Sequence, residues 1–426
     1  MQIHFQNTCG LDSRELAKVA LSLTDYLAHL QSITKHYEYD GKETAMNLPF
    51  DKGIADETCE IAKKFSSNNL KFIFVVGIGG SNLGTSAVYE ALTGKYDLTT
   101  NTYPKMIFLD TVTLLPHMHV ESIVEEDAED ASDIVVNVIS KSGKTTETIA
   151  NFDVLYKMLT KKFPHVHERV IVTTLKDSPL WKAAEKNGFM CLDHRDVTGR
   201  FSVMSAVGQL PLRLAGFDVD SLLKGATDAT QPGLSTDIHS NPALACAVSM
   251  YLNAMHGKNL HNVFFFNPEL ELLGKWYRQL IAESLGKNTE AGITPLVSIG
   301  STDLHSMVQL YFAGPRQTFT NFVYAKEDDN LVVENASGIV EVIPQLEGRK
   351  LGSIMEAIYE AVTTTYAKKG LPFMETFLPD ISEYTLGQYM QTKIIEIVLL
   401  AHLFHVHAFD QPQVEDYKSI LRNILT

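Results

Sequence analysis

The sequence predicts an α/β protein made of two units, each a parallel sheet flanked by helices in a three-layer α/β/α sandwich, with helical segments at both ends. Three observations predict it. Short runs such as 72–76 (Phe-Ile-Phe-Val-Val) and 134–139 are dominated by β-branched and aromatic residues, which marks strands buried on both faces. Stretches with helical spacing separate these runs, and parallel strands require such crossovers. The alternation then starts again near residue 260. A chain of 426 residues, 45% of them hydrophobic, has the length of about two or three domains.

Taken in order, residues 11–37 have helical spacing. Asp12 and Glu15 form a capping-box-like start, and Leu16, Val19, Ala20 and Leu23 share a face. Asn47-Leu48-Pro49-Phe50 breaks the pattern before the first sheet. Strands are expected at 72–76, 105–109, 134–139 and 169–173, with a helix at 83–92. In the second unit, strands are expected at 262–266, 295–299 and 318–324, and helices at 268–285, 304–312 and 351–368. Residues 386–403 and 414–425 close the chain as helices. The units are accordingly set at 1–55, 56–210, 211–385 and 386–426.

The net charge of -15 opposes binding to nucleic acid or anionic lipid, so neither partner is expected. An anionic substrate would need a local pocket of donors. Cys9, Cys59, Cys191 and Cys246 lie far apart with no C-x-x-C pair, as reduced thiols do. No basic-then-apolar leader opens the chain. The apolar stretch 394–404 contains Glu396 and is too short to span a bilayer. A cytoplasmic protein is expected.

Two strand–loop–helix junctions carry chemistry. Gly77-Ile78-Gly79-Gly80-Ser81-Asn82 lets backbone approach a ligand, and the following helix start favours an anion. A dinucleotide loop would need glycine where Asn82 stands. The bland alternative is a tight turn. Ser140-Lys141-Ser142-Gly143-Lys144-Thr145 clusters hydroxyls before a helix, and it lacks the first glycine of a P-loop because Val138 occupies that place. Here the alternative is a plain helix cap. Side by side on adjacent strands, the two loops would make one phosphate cradle. His402, His405 and His407, and His117 with His119, invite a metal reading, but no cysteine is near and Asp410 is the one carboxylate close behind. No metal or cofactor is expected.

These loops, together with 196–202 (Asp-Val-Thr-Gly-Arg-Phe-Ser), 279–287 (Gln-Leu-Ile-Ala-Glu-Ser-Leu-Gly-Lys), Asp303-Leu304-His305 and the stretch from Phe409 to Lys418, resemble the glucose-6-phosphate isomerase family. Six motifs match in order over about residues 70–420, in the short bacterial form. The resemblance implies two sugar-isomerase (SIS) domains and reversible conversion of D-glucose 6-phosphate to D-fructose 6-phosphate through ring opening and a cis-enediol. It implies that Gly80, Ser81, Ser140, Ser142 and Thr145 hold the phosphate, with Lys141 in the same motif and Gln411 assisting. Glu283 would carry the proton between C2 and C1, Gln279 would bind the sugar or its phosphate, and Arg200 would stabilise the enediolate. His305, with Lys418 nearby, would assist ring opening. The family's histidine serves the neighbouring subunit's site, which implies a homodimer.

Blander roles exist for each: a surface pair of Glu283 with Lys287, a helix-capping Arg200 or its pairing with Asp196, and a structural His305. Two positions depart from the family pattern. Thr198 stands where it has the first glycine of Gly-Gly-Arg, and Gln413 where it has another glycine. Either could disturb a local turn. Rival readings are a dual phosphoglucose/phosphomannose isomerase, a non-catalytic sugar-phosphate sensor and, disfavoured by Asn82, a nicotinamide dehydrogenase.

Overall fold

The computed structural model describes residues 1–34, 39, 43–67, 69–289, 291–326 and 329–425. Ten strands are found among them: β1 (Gln2–His4), β2 (Phe72–Val76), β3 (Lys105–Leu109), β4 (Ile134–Ile139), β5 (Val170–Thr174), β6 (Met190–Asp193), β7 (Leu260–Phe265), β8 (Thr294–Ile299), β9 (Thr318–Ala325) and β10 (Phe373–Leu378). They form two five-stranded sheets, ordered β3-β2-β4-β5-β6 and β8-β7-β9-β10-β1. The first sheet is parallel throughout. In the second only β1 runs antiparallel, against β10.

The strand pleat explains why the runs are apolar on both faces. Phe72, Phe74 and Val76 enter an outer core with Val120, Val124, Leu155 and Leu159 of the covering helices. Ile73 and Val75, facing the other way, join a central core. The second sheet repeats this division. Phe264, Phe322 and Phe373 meet Tyr311, Tyr359 and Tyr366 in an outer aromatic cluster, while Val263, Phe265 and Val323 face the same central core. The two units therefore share one helical middle layer. It includes the helices Leu83–Thr93, Val219–Gly233, Glu271–Leu285 and Glu383–Leu403.

Several expectations are corrected. The 11–37 stretch is two helices, Ser13–Ser22 and Thr24–Ile33, separated at Leu23, and 35–37 lie outside the described residues. Asp12 caps the first helix by accepting from the Arg14 amide at 2.7 Å, whereas Glu15 turns to His256 at 3.0 Å. The nominally helical 1–55 segment begins with β1, which completes the second sheet. The strand expected at 169–173 lies one residue later, and β6 and β10 were not foreseen. β6 is only four residues long and ends in Asp193, and β10 carries Glu375 and Thr376 in its middle, which blurs the buried-strand pattern. Residues 304–312 are not one helix. Thr302–Leu304 is a single 3-10 turn, and the helix proper is Val308–Ala313. No helix among the described residues is long and apolar enough to cross a membrane.

Candidate active site

The loops that follow β2 and β4 lie side by side because those strands pair. In the first, Gly79 has φ +60, and a Cβ on Gly80 would fall 2.2 Å from the Gly199 carbonyl carbon and 2.4 Å from the Arg200 nitrogen. Only glycine lets this loop close on the Gly199–Arg200 backbone. Ser202 Oγ lies at this contact, 2.7 Å from the Gly199 carbonyl of its own segment and 3.4 Å from the Gly80 carbonyl across it. Ser81 follows at the half-buried end of this turn. The next helix starts at Asn82 without a side-chain cap.

The second loop is built the same way. Thr145 precedes the helix Thr146–Lys162 but gives it no cap bond, and its hydroxyl lies 2.8 Å from the Ser140 hydroxyl instead. Ser140 is fixed by β5, where its amide donates to the Thr173 carbonyl at 3.1 Å and its carbonyl accepts from Thr174 Oγ1 at 2.6 Å. Two adjacent helix starts thus present N–H groups without side-chain acceptors, beside paired hydroxyls. Such a concavity suits a phosphoryl group. Ser142 is exposed at its lip. Lys141 points to Asp196 at 2.7 Å, tying this loop to the segment that carries Arg200.

Arg200 is buried, and all five of its N–H donors are used. Nε donates to Ser284 Oγ at 2.8 Å. One terminal nitrogen donates to Glu283 Oε2 at 3.0 Å and Gln411 Oε1 at 2.8 Å. The other donates to the Ala408 carbonyl and, at 3.0 Å, to that of Asp410. Burial pushes its pKa down to about 10, with the Glu283 carboxylate opposing, so it stays charged at neutral pH. Gln279, one helical turn before Glu283, donates to Glu283 Oε1 at 3.0 Å. The oxygen of the Gln279 amide is buried without a partner, and its nitrogen would lie 3.1 Å from a Cβ on Gly79. The Glu283 side chain remains 33% exposed. A carboxylate thus sits between a fixed cation and an amide, at the edge of the glycine loop.

Gly80, Arg200, Gln279, Glu283 and Gln411 are brought together. Ser81, Ser140, Ser142 and Thr145 line the adjoining loops. Lys418, 3.2 Å from Glu415, lines a cleft of about 140 Å³ with Ser142, Thr145 and Glu147. His305 stands apart. It ends the 3-10 turn after β8 and is exposed, in a turn held by Asp303, which accepts from the Ile299 amide at 2.8 Å and the Ser306 hydroxyl at 2.7 Å. The Glu283 carboxylate does not pair with Lys287, whose ammonium reaches the Glu283 backbone carbonyl at 2.6 Å.

Neither departure strains the chain. Thr198 has φ -70 and ψ 135, and its hydroxyl donates to the Phe409 carbonyl at 2.7 Å. Gln413 is not among the positive-φ residues. His402 stacks on Tyr26 with centroids 3.8 Å apart, and His407 pairs with Asp410 at 3.2 Å. Ser284 and the carbonyls of Ala408 and Asp410 were missed as Arg200's partners. Backbone acceptors leave no signal in side-chain identity.

Paired α/β/α units with glycine- and hydroxyl-bearing loops at adjacent strand ends, and a carboxylate beside them, are the arrangement of the sugar-isomerase class. The model of the family described as phosphoglucose isomerase matches residues 60–426, and the chain belongs to that family. It is 32% identical to the glucose-6-phosphate isomerase of Methanocaldococcus jannaschii over 371 residues, covering 86% of this chain and 87% of that one. A hypothetical protein of Thermus thermophilus superposes with a TM-score of 0.85 at 28% identity, over 100% of this chain and 99% of that one. A glucose-6-phosphate isomerase of Chlamydia trachomatis shares the fold, with a TM-score of 0.82 at 18% identity over 97% and 86% of the two chains.

Proposed function

We propose that the chain interconverts D-glucose 6-phosphate and D-fructose 6-phosphate, the aldose–ketose step of glycolysis and gluconeogenesis, in the cytoplasm. The observation that carries this reading is the Arg200–Glu283–Gln279 cluster at the mouth of the hydroxyl-lined loops. In it, residues 56–210 supply the phosphate loops and Arg200, 211–385 the Glu283 helix, and 386–426 Gln411 and Lys418.

Gly80, Ser81, Ser140, Ser142 and Thr145 grip the phosphate, and binding energy so far from C1 and C2 positions the reacting carbons. Lys141 acts through its pair with Asp196, holding the loop against the Arg200 segment. In ring opening, the O1 proton leaves, C1–O5 breaks and O5 is protonated. Glu283 then takes the C2 proton while charge builds on O1, the O2 proton passes to O1 in the enediol, and Glu283 returns its proton to C1 as the carbonyl forms at C2. Arg200, its donors committed within the chain, acts as a fixed cation beside this charge. The donor now on Gln411 is the one a sugar oxygen can exchange for.

His305 and Lys418 serve ring opening, with His305 coming from a second copy in a homodimer. Its exposure supports this, as do the exposed apolar side chains of Leu310, Leu331, Ile339 and Val342. The decisive experiment is a coupled assay of fructose 6-phosphate turnover by the purified chain with a chelator present. Absence of turnover overturns the reading, and comparison with mannose 6-phosphate tests for a dual isomerase. Mixing Glu283→Gln and His305→Ala proteins should recover about a quarter of wild-type activity if the histidine acts across a two-fold interface. No recovery rejects that arrangement.

A further inference from the structure

We propose that Lys287 is a positioning residue for the proton-transferring carboxylate, an inference that rests on the function proposed above. Its ammonium has three protons, and all three are used. They go to the Glu283 carbonyl at 2.6 Å, the Asp410 carbonyl, and Asp410 Oδ1 at 3.1 Å. The first of these belongs to the last turn of the helix Glu271–Leu285, whose carbonyls lack partners within the helix. The other two belong to the C-terminal segment that Arg200 grips through Ala408, Asp410 and Gln411.

Arg200 and Lys287 thus share the Asp410 carbonyl. Arg200 ties that segment to the Glu283 side chain, and Lys287 ties it to the Glu283 backbone. With both bonds made, the carboxylate has one setting relative to Arg200. With only the first, helix end and segment can slide together, and a small displacement of a base is costly. The Lys287 side chain is 11% exposed and that of Asp410 53%, so the bond to the part-buried Glu283 carbonyl is the better shielded from water. The charged groups facing it are Glu283, Asp410 and Arg200, with His407 beyond Asp410 at 3.2 Å.

The test compares wild type with Lys287→Met, Lys287→Arg and Asp410→Asn in fructose 6-phosphate turnover against pH. Lys287→Met should lower kcat by about tenfold or more while KM changes by less than about threefold, because the phosphate loops are untouched. The acid limb of its kcat/KM profile should move to higher pH, since a cation near the base is lost. A purely structural role would not move that limb. Lys287→Arg should restore part of kcat. Asp410→Asn keeps the carbonyl and should cost less, and the double variant should lose less than the product of the single losses. Unchanged kcat and an unmoved limb in soluble, folded Lys287→Met overturn the proposal. If that variant does not fold, strictly multiplicative losses in Asp410→Asn with Lys287→Arg do so. Inactive wild type would instead overturn the underlying function.

Discussion

The roles proposed for Glu283 and Arg200 can be tested separately through their contacts. Glutamine at 283 keeps the side chain's size and its place beside Gln279, but it cannot accept a proton from carbon. Glu283→Gln should leave KM within about threefold and lower turnover by about 10²–10⁴, measured in the coupled assay. Arg200 is harder to replace. Lysine keeps the charge but has three donors in place of a rigid five-donor fork, so acceptors among Ser284, Gln411 and the two carbonyls lose their partner. Arg200→Lys should therefore lower kcat more than it raises KM. Near-normal kcat with a large rise in KM would make Arg200 a ground-state binder.

At the scale of elements, the site depends on two close approaches. The glycine loop after β2 meets the Gly199 backbone at a separation that excludes any Cβ. Gly80→Ala should open that contact and abolish most activity, and a crystal structure of the variant should show the loop displaced from Arg200. The second approach orients the Glu271–Leu285 helix. Tyr277, two residues before Gln279, bonds Glu396, which pairs with the fully buried Lys393 at 2.6 Å. Lys393→Met would leave a buried carboxylate uncompensated, at a cost of about 3–5 kcal/mol. Urea unfolding should show a lower midpoint at nearly constant m-value.

For the whole molecule, two fully buried histidines contribute to acid sensitivity. Burial pushes the pKa of His261 down to about 3 and that of His194 down to about 4. Unfolded, each takes up a proton near the ordinary histidine value of about 6.5. Between those limits the unfolded chain binds more protons, so acidification removes stability. The loss is about 1.4 kcal/mol per histidine per pH unit below about 6.5, ending near each folded pKa. His261→Gln should flatten the fall in melting temperature between about pH 6.5 and 4.5. An equal slope in both proteins would contradict the assignment.

The strands at 72–76, 105–109 and 134–139, the helix at 351–368 and the two serine-bearing loops were legible from sequence because local signals write them. Burial on both faces demands continuous apolar runs, and backbone approaching an anion demands glycine and hydroxyls. Ordered motifs likewise singled out Glu283, Gln279 and Arg200, which the fold joins in one hydrogen-bonded cluster. Folding alone decided how these meet. It set Arg200's five partners, the Lys287 bonds to Asp410, the pairing of Lys141 with Asp196, and β1 as an edge of the second sheet. These contacts join positions up to hundreds of residues apart, often through backbone carbonyls that every residue possesses. Side-chain chemistry is encoded one position at a time, whereas the partner of a buried donor is set by which elements pack against it.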